Sequence, residues 1–443
     1  MVREYSDQNV YDALQERLKF IFQEFDNIYV SFSGGKDSGL LLNLVLDYKR
    51  KYAPDRVIGV FHQDFEAQYT VTTQYVERTF ERIKNEVEPY WVCLPMATRT
   101  ALSSYEMYWF PWDDTKKDQW VREMPKKEYV INLDNNPMTT YRYRMHQEDL
   151  AKQFGRWYRL SHGEKKTVCL LGMRADESLQ RYSGFVNKKY GYKGQCWISK
   201  TFKEVWCASP IYDWSVNDIW HANYLFNYDY NQLYDLYYKA GLKVTQMRVA
   251  SPFNDYSKDA LNMYRVIDPE IWVKLVGRVR GANFACIYGK TKAMGYRNVT
   301  LPEGHTWKSY TMFLLDTLPP RLRNNYAKKF NTSILFWHKT GGGLDEDTIR
   351  ELEEHGYQIQ RNGVSNYTLN KKCRVVFVGR IPDDTDDIKS TKDIPSWKRM
   401  CYCILKNDHI CRFMGFGMTR QQQKRVDMIR NKYKSVEDMN YGA

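Results

Sequence analysis

No apolar run in the 443-residue chain is long enough to span a bilayer. The opening residues Met1-Val2-Arg3-Glu4-Tyr5 lead into an amphipathic pattern with no apolar signal core. Cysteine is scarce and odd in number, with nine residues scattered from Cys93 to Cys411. That excludes a dense disulfide framework and points to free thiols in a reducing compartment. A soluble, cytoplasmic protein with no membrane association is expected. Internal repeats are absent, and the one low-complexity patch, Gln421-Gln422-Gln423, is too short to matter.

What is present is positive charge and aromatic side chain. The formal net charge of +13 attracts phosphates, whether of nucleotides, nucleic acid or anionic lipid. Hydrophobic residues make up 43%, enough for a sizeable core and too many for global disorder. The length suggests two domains or three. With 35 Tyr and 13 Trp, many rings must lie partly exposed, as in pockets or interfaces.

Along the chain, Ser6 is a good N-cap for a helix whose apolar positions are Val10, Leu14, Leu18, Ile21, Phe22 and Phe25. The β-prone run Asn27-Ile28-Tyr29-Val30 enters a Gly-rich turn, and Leu40 to Leu46 continue as a buried helix. Further strands are expected at 57–61, 90–94 and 168–172, with a helix over 72–87. This alternation predicts an α/β fold, a parallel sheet flanked by helices, with ligand bound beyond the carboxyl ends of the strands. An insertion rich in Trp, Tyr and Arg runs from about 97 to 166. The first domain is expected over 1–250. A mixed, mainly helical C-terminal domain of unknown role is expected over 251–443. In it, helices are expected over 272–279 and 307–318, a strand over 374–378, a turn-rich loop over 382–395 and a basic helix over 421–434.

The strongest chemical signal is Ser33-Gly34-Gly35-Lys36-Asp37-Ser38, preceded by Ser31 at the end of the first strand. Gly34 and Gly35 let the backbone turn sharply and approach a ligand closely. Consecutive N–H groups then form an anion nest, and the following helix points its positive end at it. Lys36 adds a charge for phosphate, and Ser33 and Ser38 add hydroxyls. Asp37 suits Mg²⁺ better than phosphate, because like charges repel. The spacing is not that of a Walker A loop.

The hexapeptide resembles the PP-loop signature of the ATP pyrophosphatase superfamily. Two further stretches narrow the resemblance to its PAPS-reductase-like branch. Leu171-Gly172-Met173-Arg174-Ala175-Asp176-Glu177-Ser178, with Arg181 beyond, is similar to the family's Gly-x-Arg element. Pro210-Ile211-Tyr212-Asp213-Trp214, followed by Leu233-Tyr234-Asp235, is similar to its Pro-Ile-x-Asp-Trp and Leu-Tyr-Asp segments. Arg174 leaves its strand on the ligand side, where a guanidinium pairs with phosphate. Asp176 and Glu177 either hold Mg²⁺, orient Arg174 or compensate a helix N-terminus. Asp64 ends the second strand, where relatives meet adenine or ribose, so it either accepts a ribose hydroxyl or caps a loop. Tyr69 is either a stacking ring or core, and His62 either site or core.

The resemblance implies an adenine nucleotide, ATP or PAPS, bound with Mg²⁺ on Asp37 and Asp176. It implies attack at the α-phosphorus, giving an AMP-linked intermediate and pyrophosphate, with Lys36, Asp37, Arg174 and Asp176 as the catalytic set. The alternative is a nucleotide-sensing module acting with a ParB-like DNA-binding partner. The chain also resembles a subgroup that includes the bacterial immunoglobulin-binding regulator A, often paired with a ParB/sulfiredoxin-like protein. That likeness runs through Met247-Arg248-Val249, Pro302-Glu303-Gly304-His305-Thr306-Trp307 and Ser396-Trp397-Lys398-Arg399.

PAPS reduction itself needs a Cys tail, and the sequence here closes with Glu437-Asp438-Met439-Asn440-Tyr441-Gly442-Ala443. The segment Gly241 to Arg248 also lacks the paired Cys of thiolation relatives. Cys401, Cys403, His409 and Cys411 are a weak Zn²⁺ candidate set. The usual Cys-x2-Cys spacing is missing, and the apolar neighbours Met400, Ile404, Leu405 and Phe413 favour a buried core. Arg142, Arg144, Arg156 and Arg159 interleave with Tyr141, Tyr143, Trp157 and Tyr158. This pattern suits either single-stranded nucleic acid or a helix with one buried aromatic face.

Overall fold

The computed structural model describes residues 7–103, 105–186, 191–254, 261–282, 301–364, 372–388 and 394–414. They fall into two compact units. The first comprises 7–102 and 108–282, and the second comprises 103–107 and 301–414.

The first unit is built on strands β1 (Asn27–Ser31), β2 (Ile58–Gln63), β3 (Glu88–Val92), a two-residue pair β4 (Thr98–Arg99) and β5 (Tyr108–Trp109), then β6 (Val130–Ile131), β7 (Thr167–Leu171), β8 (Ile198–Phe202) and β9 (Val205–Ala208). Seven of these form one sheet in the order β6-β3-β2-β1-β7-β9-β8. All its pairings are parallel except β8 against β9, so an antiparallel hairpin closes one edge. The chain proceeds outward from β1 on one side through β2 and β3, then returns to β1's other flank with β7. The carboxyl edge of β1 and β7 is therefore the topological switch point, where such sheets open a crevice.

Alternation along β1 explains why both faces are covered. Ile28 and Val30 enter one buried cluster, with Leu14, Leu18 and Ile21 of α1 (Val10–Glu24) and Leu41 and Leu44 of α2 (Lys36–Tyr52). Tyr29 enters the other, with Phe61, Phe154, Trp157 and Tyr158. Helix α3 (Thr70–Ile83) adds Val76 and Phe80 to the first face. Helix α4 (Gln147–Ser161) supplies the second. α1 starts after Asn9, whose side chain accepts from the Tyr11 and Asp12 N–H groups at 3.0 and 2.9 Å. The expected cap Ser6 lies outside the described residues. So do the basic stretch 421–434 and Gln421-Gln422-Gln423.

α4 lies within the stretch read from sequence as an insertion. It is a sheet-covering crossover helix between β6 and β7, and its aromatic face is buried: Phe154 and Tyr158 are 0% and 1% exposed. Trp157 and Tyr158 are therefore core residues and not a stacking platform. The β8–β9 hairpin escaped the sequence reading because its turn, Lys203-Glu204, has none of the residues that usually mark one. Glu204 adopts a positive φ of 56° without being Gly, Asn or Asp.

Helices α5 (Leu179–Val186), α6 (Val216–Leu225), α7 (Leu233–Lys239), α8 (Asn262–Ile267) and α9 (Pro269–Arg278) complete the first unit. α9 belongs there because Arg278 pairs with Glu66 through two bonds, 2.7 and 3.1 Å long, with both side chains almost wholly buried. The ring of Tyr264 on α8 stacks on Tyr69 at 3.6 Å.

The second unit holds helices Trp307–Thr317, Pro320–Lys339, Glu346–Glu354 and Trp397–Leu405. An antiparallel three-stranded sheet places Cys373–Phe377 between Gly342–Leu344 and Ile359–Val364. Two of the family-like motifs are helix starts here. Thr306 and Ser396 cap the first and last of these helices, and Asp383 accepts from the Trp307 and Lys308 N–H groups at 2.8 Å each. Cys403 and Cys411 sit in an apolar cluster with Leu315, Phe330 and Met400, and Cys401 is equally buried. Burial pushes the Cys401 thiol up to about 12. Both ring nitrogens of His409 are engaged, one with the Tyr326 hydroxyl at 3.0 Å and one with the Ser103 carbonyl at 3.1 Å. These side chains pack as a core.

No described helix is long and apolar enough to cross a membrane.

Candidate functional site

Strand β1 delivers Ser31 to the carboxyl edge, and the chain then turns through Ser33 to Gly35 into α2. Gly34 has φ +76°, a conformation that costs a side-chain-bearing residue energy. A Cβ there would also meet Val76 at 2.9 Å. The loop holds itself by hydroxyls. Ser38 Oγ accepts from the Ser33 N–H at 3.1 Å, lies 2.9 Å from Ser33 Oγ and donates to the Gly35 carbonyl at 3.2 Å.

Two side chains from much later in sequence clamp the loop. Asn231, wholly buried, donates from Nδ2 to the Gly34 carbonyl at 2.9 Å and to Thr72 Oγ1 at 3.0 Å. The Tyr234 hydroxyl accepts from the Lys36 N–H at 3.1 Å, and the Lys36 Nζ lies over its ring at 5.4 Å. Burial, and after it the Asp37 carboxylate, pushes the Tyr234 phenol up, so it stays neutral. Neither clamp was identified from sequence. Tyr234 was noticed only within Leu-Tyr-Asp, and Asn231 stands just ahead of that segment.

The loop's charges meet those of the β7 edge. Lys36 Nζ donates to Asp37 Oδ2 at 2.8 Å, and Arg174 Nε donates to Asp37 Oδ1 at 2.6 Å. The Arg174 guanidinium also pairs with Asp176 and donates to the Trp214 carbonyl at 3.2 Å. Arg174 is 3% exposed. Lys36, Asp37, Arg174 and Asp176 therefore converge, with Asp37 as the shared counter-ion of both cations. The Pro-Ile-x-Asp-Trp segment supports this arrangement. Asp213 takes both terminal nitrogens of Arg17 at 2.7 and 2.6 Å, and the Trp214 indole N–H donates to the Val10 carbonyl at 3.1 Å. That fixes the carbonyl on which Arg174 rests.

Gly172 touches no ligand-facing group of its own. Its lack of a Cβ allows β7's end to run against the Asp37 and Ser38 backbone. Arg181, on α5, forms an ion pair with Glu177 one turn earlier.

As for magnesium, both Asp37 oxygens already accept from cations, and the Arg174 guanidinium stands between Asp37 and Asp176. Among the described residues no three His, Cys, Asp or Glu side chains gather as a metal site. The donor set as arranged does not offer the two carboxylates jointly to a cation.

Asp64 is 1% exposed and fully engaged. Oδ1 accepts from the Glu66 N–H at 2.8 Å, and Oδ2 accepts from the Trp91 indole at 2.6 Å and from Arg122. Burial opposes its charge, but Arg122, His62 and the indole N–H outweigh it and hold the carboxyl below its ordinary range. Next to it, Glu66 is wholly buried and accepts the Trp112 and Val121 N–H groups at 2.7 and 3.0 Å as well as Arg278. The two acids thus tie the segment after β2 to the aromatic-rich segment 109–122. His62 is buried with Nδ1 2.7 Å from the Phe32 carbonyl, and burial lowers its pKa. Between these residues and the loop lies a cleft lined by Ser33, His62, Gln68, Thr72 and Arg122, with apolar walls from Phe65, Val76 and Val249.

Residues 27–240 match the family model described as "Phosphoadenosine phosphosulfate reductase domain". Residues 241–425 match one described as "Domain of unknown function (DUF3440)". The chain is 30% identical over 422 residues to the uncharacterized protein YbdN of Escherichia coli K12, covering 94% of this chain and 92% of that protein. Among solved structures it is similar to the FMN adenylyltransferase of Candida glabrata with FAD and inorganic pyrophosphate, at 15% identity and TM-score 0.28. That match covers 52% of this chain and 64% of that one, so the chain spans less than two thirds of that structure. It is also similar to the PAPS reductase of Candida auris in a phosphate complex, at 12% identity and TM-score 0.25, covering 53% and 94%. A third is the U34-tRNA thiolase NcsA of Methanococcus maripaludis, at 9% identity and TM-score 0.31, covering 68% and 88%. Scores of this size say nothing of activity.

Proposed function

Because the chain belongs to the phosphoadenosine phosphosulfate reductase domain family of PP-loop proteins, we propose that it binds an adenine nucleotide, ATP or PAPS, on Ser33–Ser38. With ATP, the proposed reaction is cleavage of the α–β bond to give an adenylylated acceptor, or AMP, and pyrophosphate. The observation that carries this reading is the convergence of the Lys36 and Arg174 side chains on Asp37, at the start of α2 and the switch point of the sheet. Those donors suit an anion at a helix N-terminus. In this reading phosphate oxygens take over the Lys36 and Arg174 contacts that Asp37 now makes. The loop and Arg174 then position the phosphates and absorb the charge that develops on the leaving pyrophosphate. Asp37, released from those contacts, would be the residue to hold a nucleotide-borne Mg²⁺ while Asp176 stays on Arg174; the ion would supply neutralisation of phosphate charge.

Reductase chemistry fits less well. Cys169 on β7 and Cys93 just beyond β3 are buried, and burial pushes both well above the usual thiol range. A buried neutral thiol is a poor nucleophile. A second reading, nucleotide sensing with a ParB-like DNA-binding partner, is favoured by one observation. Both cations of the site are already neutralised by Asp37, so nucleotide binding rearranges the loop's charge pairs even without turnover.

The test uses Mg²⁺ and ATP labelled at the α-phosphate, with and without RNA or DNA. Labelled AMP and unlabelled pyrophosphate are expected, both lost in Lys36→Ala and Asp37→Ala. Tight binding with no AMP under any addition supports the sensor. Turnover at the wild-type rate in Lys36→Ala sinks the site assignment.

A further inference from the structure

His62 has one ring nitrogen that the fold does not use. Nδ1 lies 2.7 Å from the Phe32 carbonyl, which can only accept, so Nδ1 carries the ring proton. In the neutral ring Nε2 is then a bare lone pair. Among the described residues nothing bonds Nε2, yet the atom is not sealed off from solvent. The ring itself is fixed. It stands edge-on to Trp91 with centroids 5.3 Å apart, and the Phe32 and Phe80 rings lie 6.1 and 6.3 Å away.

This nitrogen belongs beside the loop. His62 and Ser33 line the same cleft, and the carbonyl that anchors the imidazole is that of the residue just before Ser33. The cleft has a volume of about 40 Å³. A water needs roughly 10–15 Å³, so the space suits a water-sized group and no larger ring system. The charged groups facing the imidazole are Asp64, which favours its protonation, and Arg122, which opposes it. Burial outweighs both and lowers the pKa, so at neutral pH the ring is in its basic form.

Resting on the nucleotide reading above, we infer that His62 is a catalytic residue of that reaction: Nε2 takes the proton of the O–H group that attacks the α-phosphorus, a water where AMP is the product. As the proton passes to Nε2, the new O–P bond forms, the α–β P–O bond breaks and pyrophosphate leaves with the electron pair. The imidazolium is offset by the Asp64 carboxylate and then gives its proton to solvent. Proton transfer to a positioned side chain of this kind contributes about 10²–10⁴-fold.

The experiment follows AMP formation by the full chain at saturating ATP and Mg²⁺ from pH 4.5 to 8, for wild type, His62→Asn and Lys36→Ala. Tm is followed over the same range, and ATP affinity is measured by calorimetry. The Asn amide retains a donor on the Phe32 side and has no atom in the place of Nε2. Wild-type kcat should rise with pH to a plateau, along a limb whose midpoint lies below about 6.5. His62→Asn should lower the plateau by about 10²–10⁴-fold and abolish the limb, with ATP affinity within about twofold of wild type. A wild-type kcat that is flat over this range while the protein stays folded overturns the inference without any variant. An unchanged plateau in folded His62→Asn overturns it too, and AMP formation that is still lost in Lys36→Ala then leaves the site reading standing. Affinity falling as far as kcat in His62→Asn would make the residue a structural or binding one and sink the catalytic assignment. Wild-type protein that binds ATP and yields no AMP overturns both this inference and the cleavage reading, and wild-type protein that binds no ATP overturns the site reading as well.

Discussion

Replacing Gly172 by Ala tests how the two halves of the site are held together. A Cβ at this position would lie 2.8 Å from the Asp37 carbonyl carbon, 2.8 Å from Ser38 N and 3.0 Å from Asp37 O. Ordinary carbon contacts begin near 3.4 Å, so the strand end and the helix start must separate by 3.4 − 2.8, about 0.6 Å. All three neighbours are backbone, and no rotamer change relieves them. Overpacking of this kind costs about 1–3 kcal/mol, and each kcal/mol lowers Tm by about 2–4 °C in a domain of this size. The displaced atoms carry Asp37, whose Oδ1 sits 2.6 Å from Arg174 Nε, and Ser38, whose hydroxyl organises the loop. Gly172→Ala should therefore weaken ATP binding by about tenfold or more, a loss of about 1.4 kcal/mol, alongside the drop in Tm. Gly184→Ala is the matched control. It lies on α5 with nothing within 4 Å of the added carbon, and should be neutral or stabilise by up to about 1 kcal/mol. Thermal melts and ATP titration on both variants decide the matter. A Gly172→Ala protein with wild-type Tm and wild-type affinity would refute the close-approach argument.

Three further perturbations have definite outcomes. Tyr234→Phe removes the acceptor of the Lys36 N–H and should cost about 1–3 kcal/mol; an anion in the loop restores a partner, so ATP should raise the Tm of this variant more than that of wild type, and equal shifts would count against the clamp. Glu66→Ala strands the buried Arg278 guanidinium and the Trp112 and Val121 N–H groups, and urea unfolding should show a loss of about 3–5 kcal/mol. A loss under about 1 kcal/mol would mean the node is dispensable. His62 is held neutral by burial while the unfolded chain binds a proton below about pH 6.5, so its contribution is whole above that pH and is lost as pH falls toward the lowered folded value. His62→Asn should lose less stability than wild type between pH 7.5 and 5.5, and identical losses would exclude the histidine as a source.

The strand, turn and helix around Ser33–Ser38 were legible because each rests on local chemistry: a β-prone run, two glycines where the backbone must turn, and an apolar helix behind them. The flanked parallel sheet was legible for the same reason, from alternating strand and helix periods. The ambiguities in the aromatic-rich stretch 97–166 were not resolvable locally. Trp157 and Tyr158 have the spacing of a helix face, and spacing alone does not say whether that face meets solvent or a sheet. Packing against Tyr29 and Tyr90 answers it.

By itself, then, the sequence determined the loop and the order of motifs that makes this a PP-loop chain. The tertiary structure decided how those motifs act on one another. Arg174 reaches Asp37 across 137 positions, Tyr234 reaches Lys36 across 198, and Asn231 reaches Gly34 across 197. Hydrogen bonds at such separations leave no periodic trace in a chain, because what selects the residue is a partner brought close only when the sheet assembles. Gly172 shows this most plainly: its motif marks it as a glycine, and only the backbone of α2 lying beside it says why.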